Sequence, residues 1–392
     1  MTKIKRAIVF VPGFERREQL AVRDHLVSSI VHYTDGYKTS VSDGVTENGA
    51  NRVTVEVQDR QSDYAATLDV YEAYWGDLVP DWSQESPWQR FKRGLLLIWY
   101  WAGGGLVKSI GRGEMPTRTV VAMIIAALML LLWYTSVISV LIQAIGSTES
   151  GVPTVLQDVL NDYAWTRATL DWAGSFSDLP LILFLIGLIG LGKLEGMANI
   201  SSFVKAYLRD DPTSDDDVGL RAKARLRVLN MLDHVNGEGQ NYDEVHVVAH
   251  SLGGAIAVDA LAEYGSTLPK TVLHTWGSAM GLLVQQEALV ELEIAKLYDA
   301  QTPLNTWVDV VFAKDVMASP RPVPRKYDGP KRTKALYDAK FPDTIVPPMP
   351  KRSAFAYQQM HMAYFRCEKA MLMLVEPLEQ LPHLAPPTDP SR

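Results

Sequence analysis

Apolar and polar positions follow secondary-structure periods at both ends of the chain and abandon them in the middle. "AIVFV", Ala7 to Val11, is a continuous apolar run stopped by Pro12 and Gly13. A short apolar run closed by turn residues reads as a buried strand, so a first strand ends at that turn. A second run, "VHVVAHSLGGAIAV", places Val245, Val247 and Val248 in a strand and Ser251 at a turn. The alanine-rich stretch beyond reads as a helix beginning around Leu252 to Gly254. Two later runs, "TVLHTWGSA" and "TWVDVVFAKDVMAS", predict further strands, the second over Thr306 to Phe312. Between the linker "DDPTSDDD" and the Ser251 run, "GLRAKARLRVLNMLDHV" sets Leu226, Leu229 and Leu232 at helical spacing and predicts a helix.

The middle has no such period. Thr119 to Thr148 is uncharged over thirty residues. About twenty apolar residues suffice to cross a bilayer as a helix, so Thr119 to Ala144 reads as a membrane span. Leu179 to Gly192, extended back to Phe176, is a shorter candidate, and length alone suits an interfacial or re-entrant helix. Gly94 to Val107 follows Arg90, Lys92 and Arg93 and reads as a segment lying at the interface.

Ser251 is where chemistry enters. A serine on a tight strand-to-helix turn, with Gly253 allowing the backbone to pass closely, has the form of a nucleophile elbow. The free N–H groups at the helix start face an anion held over the serine. A serine needs a base, and the base needs an orienting carboxylate. Asp315 follows the Thr306–Phe312 strand in a loop from which it can reach a histidine. Asp309, inside that strand, is the runner-up acid. His361 precedes an apolar helical run and suits the base. His274 lies within a strand, His383 in a Pro-rich tail, and His250 adjoins the serine and shapes the turn.

"VPGFERRE", "AHSLGG", "WVDVVFAKDVMAS" and the later His361 together resemble an α/β-hydrolase of the lipase/esterase type. The resemblance covers roughly residues 1 to 80 and 220 to 375. It implies an α/β fold with a mostly parallel sheet flanked by helices, interrupted by a helical transmembrane or membrane-associated insertion. Ser251, Asp315 and His361 match the nucleophile, acid and base. Phe14 and Leu252 match the oxyanion donors through their backbone N–H groups. Two departures stand out: Ala249 replaces the first glycine of G-x-S-x-G, and Pro12-Gly13-Phe14 replaces the His-Gly common in the oxyanion loop of lipases. The expected organisation is core over 1–90, hydrophobic insertion and acidic linker over 91–218, core again over 219–376, and a Pro-rich tail over 377–392. Cleavage of a carboxylic ester, lipid-like or long in its acyl part, is the expected activity. A thioesterase or amidase would use the same triad, and a non-enzymatic membrane protein on this scaffold is the remaining class.

Phe14 and Ser251 must then share one compartment, so the chain between them crosses a bilayer an even number of times. Thr119–Ala144 and Phe176–Gly192 would form a hairpin, or both would lie flat as a surface cap. The flanks are basic (Arg90, Lys92, Arg93, Lys108, Arg112 and Arg118 before; Lys193, Lys205 and Arg209 after), while Glu149, Asp158, Asp162 and Asp171 lie between. By the positive-inside rule the core would face the cytoplasm, at a membrane such as the bacterial inner membrane. The N-terminal run is too short for a signal peptide. A single cysteine, Cys367, allows no internal disulfide. Eight scattered histidines give no metal-ligand spacing, and a net charge of −7 without basic clustering points away from nucleic acid. The expected partners are a lipid bilayer and a small acyl substrate, with neither cofactor nor metal.

Overall fold

The computed structural model describes residues 2–14, 18–47, 49–82, 85–103, 198–212, 217–264, 268–298, 304–315, 317–324, 344–347 and 361–377, with isolated positions at 110, 120, 121, 124, 127, 128 and 196. The chain divides into two compact units. One comprises Met1–Gln84, Tyr100–Pro116 and Phe203–Arg392; the other comprises Glu85–Trp99 and Thr117–Ser202.

The first unit holds a mixed sheet of eight strands flanked by helices. In chain order the strands are β1 (Thr2–Val11), β2 (Tyr37–Val41), β3 (Val45–Glu47), β4 (Ala50–Asp59), β5 (Tyr64–Glu72), β6 (Glu244–His250), β7 (Lys270–Trp276) and β8 (Leu304–Val310). Their order across the sheet is β2-β4-β5-β1-β6-β7-β8, with β3 paired to β4. β5, β1, β6, β7 and β8 are mutually parallel, while β2 and β3 pair antiparallel to β4, and β4 pairs antiparallel to β5. Sequence pattern explains the two halves. In β4, Val53, Val55 and Val57 are buried while Glu56 and Gln58 face solvent, the alternation of a sheet wetted on one face. All seven residues of β6 are buried, which requires cover on both faces.

That cover comes from α1 (Ala21–His32), α3 (Leu220–Val235), α4 (Gly253–Glu263), α6 (Ala288–Leu297) and α7 (Glu368–Val375). Two further helices are α2 (Pro87–Gly103) and α5 (Met280–Gln286). α3 lies where the sequence predicts a helix. Its buried stripe is Leu220, Ala224, Val228, Leu232 and Val235, and Leu226 is exposed. Steps of four and three centred on small residues fit the close approach to α4; Leu226 sits on the face that carries Arg227. α4 is buried along almost its whole length, and its buried charge, Asp259, is held by both Nε and Nη2 of Arg221 at 2.9 and 2.7 Å. β1 begins at Thr2, earlier than its apolar run suggests. Arg6 is fully buried within it and donates to Glu244 of β6 and to the Leu374 carbonyl of α7. A buried charge is tolerated only with such pairing.

Glu72, at the end of β5, accepts the Leu20 N–H just before α1. Burial pushes its carboxyl up to about 7, against the pull of that hydrogen bond. The folded state therefore binds this proton more tightly than the unfolded chain. The resulting stability is full below the ordinary glutamate value and is lost as pH rises through about 7. Glu72→Gln cannot ionise, so its stability relative to the parent rises between pH 5 and pH 8.5, by about 1–3 kcal/mol. Urea melts at the two pH values check this; an unchanged difference contradicts it.

In the second unit, Glu85 and Arg93 pair at 2.7 Å. Leu95, Leu96 and Trp99 of α2 are exposed, Trp99 by 81%. Val121, Ile124 and Leu128 are exposed helical positions at steps of three and four, which share one helix face. Among the described residues no helix is long and apolar enough to cross a membrane. The segments read as spans, Thr119–Ala144 and Phe176–Gly192, lie outside the described residues apart from five helical positions between 120 and 128.

Candidate active site

β6 ends at His250, and Ser251 follows with a positive φ of 55°. A side chain at such a φ costs about 1–3 kcal/mol and persists where the surroundings impose it. Here the Ser251 N–H is held by the Trp276 carbonyl at the end of β7, 2.9 Å away. Gly253 opens α4, and a Cβ there would lie 2.4 Å from the carbonyl oxygens of Val11 and Pro12. Only glycine lets the end of β1 pass this closely. The strand–turn–helix read from the sequence is present, with Ser251 8% exposed at its tip.

Sheet order places the Pro12–Phe14 turn beside it. From β1 the chain departs to the β5 side of the sheet, whereas from β6 it departs to the β7 side. Such a reversal opens a crevice at the carboxyl ends of the two strands, the place where ligands bind in open α/β sheets. Gly13 lies in this crevice: a Cβ on it would come 2.9 Å from both Ser251 Cβ and His250 Nδ1. Gly13 thus brings the Pro12–Phe14 turn against Ser251, and Leu252 follows Ser251 at the start of α4.

Asp315 and His361 come together, although 46 residues separate them. His361 Nδ1 lies 2.8 Å from Asp315 Oδ2. A carboxylate only accepts, so Nδ1 carries the proton and Nε2 is the basic nitrogen. Nε2 is buried with no hydrogen-bond partner among the described residues. Burial opposes the charge of Asp315, which is 1% exposed, yet hydrogen bonds from His361, Tyr364 and the Met317 N–H carry its carboxyl below the usual range. No family model matches the chain, and neither does any curated protein or solved structure.

His250 links the base to the elbow. Its Nε2–H donates to the His361 carbonyl at 2.8 Å, and the two rings lie 4.8 Å apart. The residue next to the serine thus holds the backbone of the base, a role that adjacency in sequence does not reveal. Asp309 sits elsewhere. It is fully buried and accepts from Thr275 Oγ1, the Arg321 N–H and Thr344 Oγ1 at 2.7 to 2.8 Å. It braces the segments beyond β8, and among the described residues it makes no hydrogen bond to a histidine. β8 ends at Val310, two residues before the predicted end, so Asp315 is the fifth residue beyond the strand. His274 is fully buried in β7 and bonds to His246 of β6, Nε2 to Nδ1 at 3.0 Å, away from the crevice loops. His383 lies outside the described residues. Cys367 caps α7, and burial pushes its thiol up, as a packed cysteine should behave. Among the described residues no cluster of histidine, cysteine and carboxylate side chains could hold a metal ion.

Aromatic residues line one side of the Pro12–Phe14 turn. Phe14 lies 5.2 Å from Phe203 and 6.2 Å from Trp82 between ring centroids. Trp75 stacks on Phe203 at 5.4 Å and donates Nε1–H to the Pro12 carbonyl at 3.0 Å. The sequence reading passed over these residues. They belong to three separated segments with no shared period, so nothing local announces the cluster.

Proposed function

We propose that this chain is a serine hydrolase that cleaves a carboxylic ester through an acyl-enzyme on Ser251. The observation that carries the reading is the strained Ser251, at φ 55° on the crevice between β1 and β6, in the same fold as a buried aspartate–histidine pair at 2.8 Å. His361 Nε2 takes the Ser251 Oγ proton as Oγ attacks the carbonyl carbon. The N–H groups of Phe14 and Leu252 receive the oxyanion that forms. Collapse expels the alcohol, which takes the proton from His361. Water, deprotonated by the same nitrogen, attacks the ester of Ser251 and releases the acid. Asp315 stabilises the imidazolium at each step without itself gaining a proton.

The acyl part is apolar. Phe14 stands both at the oxyanion position and in the aromatic group with Trp82 and Phe203, so a hydrocarbon chain leaving the carbonyl on that side meets rings rather than charges. The exposed Leu95, Leu96 and Trp99 of α2, with the uncharged run from Thr119 to Thr148, support a bilayer as the neighbour of the other unit. Kinetics on acyl esters from acetyl to palmitoyl, matching thioesters and amides, and glycerolipids test the reading. It expects kcat/KM on esters to rise with acyl length, by roughly threefold or more per two carbons until the pocket is filled. Preference for acetyl over longer chains would remove the apolar acyl site. Faster turnover of thioesters or amides would move the reaction class while leaving the triad.

A further inference from the structure

Asp315 has three donors, and two of them arise from a single turn of chain. His361 Nδ1–H and the Tyr364 hydroxyl both donate to Oδ2, at 2.8 and 2.9 Å, and the Met317 N–H donates to Oδ1 at 3.0 Å. A spacing of three residues places His361 and Tyr364 on the same side of one helical turn, the turn that runs into the 3₁₀ segment Ala363–Arg366. Tyr364 is fully buried, and its hydroxyl also accepts the Phe312 N–H at 3.1 Å. Burial first, and then the neighbouring Asp315 charge, push this hydroxyl well above the usual tyrosine range. It is therefore a fixed donor to the carboxylate at every working pH.

We propose that Tyr364 is a positioning residue for the Asp315–His361 pair, setting both the orientation of the carboxylate and the share of its negative charge that reaches the imidazole. The assignment rests on the hydrolase reading above. The geometry separates its action from that of the backbone. The His361 carbonyl is held independently by His250, so loss of the hydroxyl leaves the base in place and removes one donor from the carboxylate and the acceptor of the Phe312 N–H. A carboxylate with one donor fewer concentrates its charge on those that remain, and His361 is the one left on Oδ2. The hydrogen bond from His361 Nδ1 then strengthens, and the imidazolium is favoured over the neutral base.

The test is Tyr364→Phe in the full chain, which keeps the buried ring and removes one oxygen. Tyr64→Phe is the control: that hydroxyl donates to the Val375 carbonyl at 2.8 Å, in the same unit but outside the site. Active sites are counted by titration with a fluorophosphonate. Y364F should lower kcat per titrated site by roughly ten- to a hundredfold, the size of one charge-assisted hydrogen bond, with little change in KM. The acidic limb of its kcat–pH profile should move to higher pH, and Y64F should move neither. In ¹⁵N-histidine-labelled protein the His361 Nδ1 proton resonance should shift downfield in Y364F. Normal kcat per titrated site with an unmoved limb, the loss being confined to thermal stability, would overturn the assignment. The resonance reads independently of turnover. Should the parent prove to hydrolyse nothing, the hydrolase reading fails on that result alone, and an unmoved Nδ1 resonance in Y364F separately removes the effect on the pair.

Discussion

Ser251→Ala lowers turnover of the best acyl ester by about 10⁶-fold, the loss typical of removing a serine nucleophile whose partners act with it as one unit. Alanine keeps the Cβ against which Gly13 packs, and the Ser251 N–H bond to Trp276 is made by backbone. The fold therefore survives, and the loss is of chemistry. Substrate binding should be retained, since the aromatic side of the crevice is untouched. Steady-state kinetics on the purified variant, beside a melt matching the parent, check this. Activity within about tenfold of the parent would show that another group attacks the substrate.

Asp315→Asn and Asp309→Asn should part company. Asparagine at 315 can present an N–H to His361, which favours the tautomer with its proton on Nε2 and removes the base. Turnover then falls by about 10⁴-fold with little loss of protein. The pH dependence has a definite sign. Asp315 is held below the ordinary aspartate range, so its contribution to stability is present above the unfolded value and lost as pH falls through the folded one. D315N lacks that acid-side loss. Asp309 meets three donors and, among the described residues, no histidine. An amide there turns a donor towards another donor at one or more of them, costing about 2–4 kcal/mol of stability with turnover per folded molecule preserved. Thermal melts and ester kinetics on both variants decide; exchange of the two phenotypes would make Asp309 the acid.

What could be read from the sequence is what local pattern encodes. The β6–Ser251–α4 unit is contiguous, and its apolar runs and glycines specify strand, turn and helix in a dozen residues. The first turn was legible for the same reason, since Pro12 and Gly13 end an apolar run. That Asp315 meets His361 depended on chain order and loop position, and the structure adds the contact itself. The sequence could not show what strand neighbours decide. His250 holding the His361 carbonyl, Tyr364 on the shared carboxylate, and Phe203 behind Phe14 all join segments at least 49 residues apart. The His-x-x-Tyr spacing at 361 and 364 carries a usable signal, two polar groups on one helical face beside an apolar run. Helical spacing of leucines made α3 legible, while its buried stripe also takes in the small Ala224 and the valines Val228 and Val235, which leucine spacing alone does not mark.

The most direct measurement is covalent labelling of the full chain with an alkyl fluorophosphonate, followed by mass spectrometry of the modified peptide. A serine activated by His361 should displace fluoride and carry the phosphonyl group on Ser251 Oγ, at a stoichiometry near one per folded chain. Ser251→Ala and His361→Ala should take up none at the same exposure, and an excess of long-chain ester should slow labelling of the parent. A folded parent that remains unlabelled, or a label on a different serine that persists in S251A, would contradict the account.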